Sequence, residues 1–171
     1  MEAFTPERLM SDLELDSNHS FEEPVTFKRG QVLFAQGEKS SYLYIVQKGE
    51  IGIFLEDRDK LTLLNIVGEK DFIGELSMFS DDKRNATAIA LETSSLVVIQ
   101  KSDVRKILKM CPEWVTNIMV TITDRLRNTV DVLREHRVID EMQSASQRTL
   151  NADEIKDLQK NVKEYKERRG L

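Results

Sequence analysis

The sequence predicts an α+β protein that is mainly β through its middle, built as a sandwich or roll of short strands and followed by long helices. Three observations predict this class. Six of the seven glycines (Gly30, Gly37, Gly49, Gly52, Gly68 and Gly74) fall within 45 residues and separate short runs rich in β-branched and aromatic side chains. Beyond residue 101 the apolar period changes from two to about 3.6. The chain of 171 residues, 40% of them hydrophobic, is also long enough to bury a core.

Residues 1–20 form an acidic N-terminal segment. Glu2, Glu7, Asp12, Glu14, Asp16, Glu22 and Glu23 face Arg8 alone within the first 24 residues, although the whole chain carries only −5. Residues 32–34, 42–47, 51–55, 61–67, 86–91 and 96–100 read as strands. In one of them Ile51, Ile53 and Leu55 alternate with Glu50, Gly52 and Phe54, the period of a strand with one buried face. Ser102 is the expected N-cap of a helix that stops near Cys111 and Pro112.

A long helix is expected from Glu113 to about Met142. Val115, Ile118, Met119, Ile122, Leu126, Thr129, Leu133 and His136 share one stripe, and Trp114 and Met119 read as core. Such a helix outreaches a small roll, so its far half needs another surface, and a homodimer follows. Ser144 to Gln147 is a weak break. Asn151 and Glu154 resemble a capping box, and Ile155, Leu158, Val162 and Tyr165 then form a narrow seam on a charged tail helix. The basic end of that helix reads as a solvated face. The expected division is 1–20, a roll with its short following helix over 21–112, the long helix over 113–143, and the tail over 144–171.

Composition excludes several functions. A single cysteine, Cys111, allows no internal disulfide, and two histidines are too few for a usual metal site. No apolar run approaches the ~20 residues of a membrane span. With no signal-peptide pattern at the start, a cytoplasmic protein is expected. The acidic balance disfavours nucleic acid.

The stretch from Asp71 to Phe79, followed by Arg84 to Ala88, carries the chemistry. Gly74 permits a tight turn, and Glu75 to Met78 then form a helical turn whose N–H groups suit an anion. Arg84, ten residues after Gly74, folds back beside that turn, and its fork suits one phosphate. Glu75 is placed to pair with Arg84 or to accept a hydroxyl from a sugar.

This pattern, Phe72-Ile-Gly-Glu-Leu76 followed by Arg84-Asn-Ala-Thr87, resembles the phosphate-binding cassette of cyclic nucleotide-binding domains. These domains occur in catabolite-activator-type bacterial regulators, kinase regulatory subunits and gated channels. The glycine rhythm agrees, and the resemblance spans residues 21–140. It implies an eight-stranded β-roll (a jelly-roll-like double-stranded β-helix), with a short helix before it and two after. It also implies that Arg84, Asn85, Leu76 and Ser77 hold the cyclic phosphate, that Gly74 and Glu75 hold the ribose, and that Ile53, Leu64, Val67, Leu126 and Thr129 surround the purine. Lys70 stands where the family usually has glycine, Lys83 replaces a frequent proline, and Asn85 is larger than usual.

The expected function is a non-catalytic sensor of a cyclic mononucleotide, cyclic AMP in preference to cyclic GMP. It needs no cofactor and no metal, and it signals to a protein effector through its C-terminal helix. Fewer than the residues needed for a helix-turn-helix follow Asp140, so direct DNA binding is not expected. The alternative is a dimerising structural module whose pocket is unoccupied.

Overall fold

The computed structural model describes residues 24–57, 60–77, 83–135 and 150–171. Eight strands form two antiparallel four-stranded sheets. One has the order β1 (Val25–Phe27), β8 (Ser94–Gln100), β3 (Tyr42–Lys48), β6 (Phe72–Ile73); the other has β2 (Val32–Phe34), β7 (Thr87–Ala90), β4 (Ile51–Asp57), β5 (Lys60–Val67). Three helices follow: α1 (Lys101–Met110), α2 (Glu113–Glu135) and α3 (Ala152–Arg169). This is the expected β-roll with its helices. The helix expected before the roll, the end of the long helix with His136, and the break at Ser144 lie outside the described residues.

The two sheets face each other across a core of Leu33, Phe34, Ile51, Ala88 and Ala90 on one side and Tyr44, Val46, Ile73 and Leu96 on the other. The second sheet is buried on its outer face as well. There Val32, Phe54, Leu61, Leu63, Ile89 and Leu91 are covered by Leu158 and Val162 of α3. This corrects the one-face reading of β4: Ile51, Gly52, Phe54 and Leu55 are all buried. A register shift between Ile53 and Phe54 breaks the alternation, so the strand turns apolar residues to both faces.

Helix α3 keeps the predicted capping box, with Asn151 accepting from the Glu154 amide at 2.8 Å and Glu154 accepting from the Asn151 amide at 3.0 Å. Its basic end is not simply solvated. Lys166 pairs with Glu56 at 2.6 Å and Arg169 with Glu38 at 2.8 Å, both carboxylates belonging to the roll. Helix α1 begins two residues earlier than predicted, with Gln100 at its N-cap and no capping side chain, so Ser102 is helical and not the cap. The chain leaves β8 already aligned for the helix, and the Lys101 amide donates to Ser41 O at 2.9 Å.

Helix α2 packs against the 3-10 helix Glu75–Ser77 and against α1. Much of its apolar stripe stays in solvent. Trp114, expected in the core, is 64% exposed, and Ile118, Met119, Ile122 and Leu126 are exposed with it. Among the described residues, no helix is long and apolar enough to cross a membrane.

Candidate functional site

The site is built where β6 ends. Gly74 has φ +90°, a conformation that disfavours any side chain, and a Cβ there would collide with Arg84 Nη1. The chain then makes the one-turn 3-10 helix Glu75–Ser77. Lys70, the residue noted as standing in place of glycine, takes φ +72°. Lysine therefore accepts the left-handed turn that glycine would adopt more cheaply.

Arg84 lies inside the molecule and not at an exposed rim: it is 4% exposed. Its guanidinium stacks 4.0 Å over the Phe34 ring. Nη1 donates to Gly74 O at 3.1 Å and to Ser77 Oγ at 3.0 Å, and Nη2 donates to Tyr42 O. Nε is buried without a hydrogen-bond partner, and so is Nδ2 of the adjacent Asn85. No carboxylate among the described residues lies within ion-pair distance of this guanidinium. Burial pulls the Arg84 pKa below its usual value, against the opposing fields of Tyr44 and Glu38. A buried cation with no carboxylate of the described residues in ion-pair range, its own Nε–H and the neighbouring Asn85 amide unsatisfied, is costly unless an anionic acceptor completes it.

The turn around Ser77 is held from three sides. Its hydroxyl donates to Ser40 Oγ at 2.9 Å as well as receiving Arg84, and its carbonyl accepts from the buried Lys101 Nζ at 2.9 Å. The backbone of Arg84 is fixed by the β2–β3 loop, with Arg84 N donating to Glu38 O at 2.8 Å and Gly37 N to Arg84 O at 2.9 Å.

Of the predicted residues, the structure brings Gly74, Glu75, Ser77, Arg84 and Asn85 to one corner, with Leu76 in the same turn. Glu75 is exposed and does not pair with Arg84. Ile53, Leu64 and Val67 are half-buried on the β4–β5 hairpin. Leu126 and Thr129 are exposed on α2, and the Thr129 hydroxyl donates to Arg125 O at 2.9 Å. Phe34, Ser40, Tyr42 and Lys101 were not anticipated. They meet the cassette only through long-range pairing, and none belongs to a local motif. A groove of about 630 Å³ between α3 and β5, lined by Lys60, Lys160, Lys163 and Lys166, contains none of the predicted ligand residues.

This corner lies within the stretch of the chain that known proteins match. The profile of the family described as "Cyclic nucleotide-binding domain" matches residues 24–111. A CRP-like cAMP-activated global transcriptional regulator of Mycobacterium tuberculosis is 32% identical over 108 residues, covering 63% of this chain and 48% of that protein. The chain thus spans about half the length of that relative. Among solved structures, the EAL enzyme Bd1971 in its cAMP-bound form is 26% identical with TM-score 0.59, over 70% of this chain and 32% of the other. The N-terminal domain of a transcriptional regulator from Streptomyces coelicolor A3(2) is 29% identical with TM-score 0.54, over 76% of this chain and 87% of the other.

Proposed function

The chain belongs to the cyclic nucleotide-binding domain family, and on that premise we propose that it is a non-catalytic sensor of a cyclic mononucleotide, with cyclic AMP preferred. One observation carries this reading: the buried Arg84 guanidinium, unpaired with any carboxylate of the described residues, with its Nε and the neighbouring Asn85 Nδ2 lacking acceptors. A cyclic phosphate supplies one negative charge and two exocyclic oxygens. Arg84 uses its inner N–H groups to stay anchored on Gly74, Ser77 and Tyr42, and offers Nε to the phosphate. The Leu76 and Ser77 amides and Asn85 complete the cradle. Gly74 keeps the turn open to the ribose and Glu75 accepts its 2′-hydroxyl.

Ile53, Leu64 and Val67 line the purine from the roll, and Leu126 and Thr129 approach it from α2. The Thr129 hydroxyl already donates to Arg125 O, so it has only acceptor capacity to offer a base. The adenine amino group is a donor and matches it; guanine O6 is an acceptor and does not. Asn85 is the counterweight, since its amide could serve a guanine edge. The cAMP-bound and cGMP-bound forms of the EAL enzyme make both nucleotides reasonable probes.

In this reading residues 21–112 sense, the helix over 113–143 acts as lid and homodimer interface, and the output passes to a protein effector. Ligand shifts α2 relative to the roll by binding one arrangement better than the other. The exposed stripe of Ile118, Ile122 and Leu126 supports the dimer. The competing reading, a dimerising module with an unoccupied pocket, predicts the same stripe but no nucleotide affinity.

Calorimetric titration of the full chain with cyclic AMP and cyclic GMP tests the reading. Saturable binding of cyclic AMP is expected. Arg84→Lys should weaken it by about a hundredfold or more, since a buried phosphate loses a charge-assisted bond worth ~3 kcal/mol. Arg84→Ala should also lose binding, at an added stability cost because Arg84 ties three backbone and side-chain acceptors. Absence of binding with both nucleotides, or lysine retaining affinity within about threefold, a difference well under the 1.4 kcal/mol of a tenfold change, contradicts it.

A further inference from the structure

Two carboxylates of the roll are each gripped on one side by α3 and connected on the other to the segment that carries Arg84. Glu38 Oε2 accepts from Tyr165 Oη at 2.9 Å, and Glu38 Oε1 accepts from Arg169 Nη1 at 2.8 Å. The same Oε2 accepts from Ala35 N at 3.1 Å, which closes the β2–β3 loop on itself. The backbone of that loop holds both peptide groups of Arg84, through Glu38 O and Gly37 N. Ser40 of the same loop accepts from the Ser77 hydroxyl, which itself takes Arg84 Nη1.

The second carboxylate, Glu56 on β4, repeats the arrangement at Thr87, three residues after Arg84. Glu56 Oε2 accepts from Lys166 Nζ at 2.6 Å. Glu56 Oε1 accepts from Thr87 Oγ1 and, at 3.3 Å, from Gln36 N. Both carboxylates are largely buried, with side-chain exposures of 13% for Glu38 and 17% for Glu56. Removing the partner of a largely buried carboxylate leaves its charge uncompensated, which costs more than the loss of an exposed pair. The last two turns of α3 therefore close over the back of the loop whose front sets the position of Arg84.

We propose that Glu38 and Glu56 are positioning residues for the ligand-binding arginine, and that the grip of α3 on them is energetically coupled to nucleotide binding. Tyr165, Lys166 and Arg169 pre-organise the 35–40 loop, and through it Arg84. By reciprocity, nucleotide on Arg84 tightens the docking of α3. The C-terminal helix thereby becomes an element whose hold on the roll reports occupancy from the outer face of the second sheet. The nucleotide half of this proposal rests on the reading of Arg84 given above; the mechanical half, from α3 to Arg84, does not.

The test uses the full chain, the double variant Tyr165→Phe/Lys166→Gln, the milder Tyr165→Phe, and Arg29→Ala as control. Arg29 also ties α3 to the roll, through Glu154 at 2.6 Å, but touches neither carboxylate. Without nucleotide, amide exchange at Arg84 should quicken about fivefold or more in the double variant, and stay within about twofold of the parent in Arg29→Ala. With cyclic AMP, Kd should rise about five- to twentyfold in the double variant, less in Tyr165→Phe and not in Arg29→Ala, while saturating nucleotide slows exchange in α3 of the parent. Unchanged Arg84 exchange in the double variant, or an equal effect of Arg29→Ala, overturns the coupling. If the parent binds neither cyclic AMP nor cyclic GMP, the nucleotide reading falls, and the Arg84 exchange still decides the mechanical link. Should the double variant not fold, Tyr165→Phe decides it by the same criteria.

Discussion

Helix α3 has 18 residues, mostly charged, with an apolar seam of Ile155, Leu158, Val162 and Tyr165. Helix α2 has 23 residues and a longer apolar stripe. Yet Leu158 is 7% exposed, whereas Ile122 is 52% and Leu126 51% exposed. Apolar content alone does not decide which helix is covered. The seam of α3 meets a matching surface, the outer face of the second sheet, and its register is set by polar anchors at both ends. Arg29–Glu154 fixes its start, the Asn161 amide on Gly30 O its middle, and Tyr165, Lys166 and Arg169 its end. The stripe of α2 has its first turns on the 3-10 helix and then runs beyond what the roll offers. One helix is part of the fold; the other leaves an apolar face exposed, the face on which the proposed dimer rests.

The sharpest way to break this comparison is the same truncation on both helices. Leu158→Ala should destabilise the chain by about 2–4 kcal/mol, because it opens a cavity against Phe54 and Ile89. Leu126→Ala should cost under about 0.5 kcal/mol in dilute protein, as for other exposed positions. Urea melts of both variants measure the difference; equal costs would mean that the two helices are alike in burial.

A charge sharpens the second half. Ile122→Glu should leave the melting temperature of the dilute chain nearly unchanged but weaken self-association by at least about tenfold, ~1.4 kcal/mol. Sedimentation velocity of parent and variant over a concentration series checks this. A parent that remains monomeric throughout would remove the dimer from the account.

The smallest effect concerns pH, and it belongs to α3 alone. Burial and the bond to Glu38 raise the Tyr165 pKa above its ordinary value. A raised folded-state value favours the protonated native chain. The stabilisation is therefore complete below the ordinary tyrosine value of about 10 and is lost as pH rises through the folded-state value. The stability advantage of the parent over Tyr165→Phe, on the order of 1 kcal/mol at pH 8, should shrink above pH 10. Urea melts at the two pH values read it. An advantage that does not change with pH would show that folding does not raise the Tyr165 pKa. Tyr44, whose pKa burial also raises, is present in both proteins and cancels.

The cassette was legible in the sequence because its determinants are local: a glycine with positive φ, a short turn after it and an arginine ten residues on. The helices were legible from period and, for α3, from its capping box. The docking of α3 was not, for two physical reasons. The seam shows that one face is apolar but carries no information on what covers it. The sheet face that does cover it was hidden, because the shift at Ile53/Phe54 makes a strand buried on both sides look like simple alternation. Glu38 and Glu56 gave no signal either, since their α3 partners lie 131 and 110 residues away. Nothing local to Arg84 shows that its guanidinium is buried; only the fold brings Phe34 beneath it. Ser102 was mistaken for a cap because a serine before an acidic residue looks the same one position into a helix.

The central claim is that the buried, unpartnered Nε–H of Arg84 is the donor that receives a cyclic phosphate. Its most direct measurement is the 15N-resolved arginine Nε–H spectrum of the full chain during titration with cyclic AMP, with the Arg84 signal assigned by its absence in Arg84→Lys. The account predicts that this signal moves downfield and that its exchange with water slows as the nucleotide saturates. An Arg84 signal that stays in place while cyclic AMP binds elsewhere, or does not bind, would contradict it.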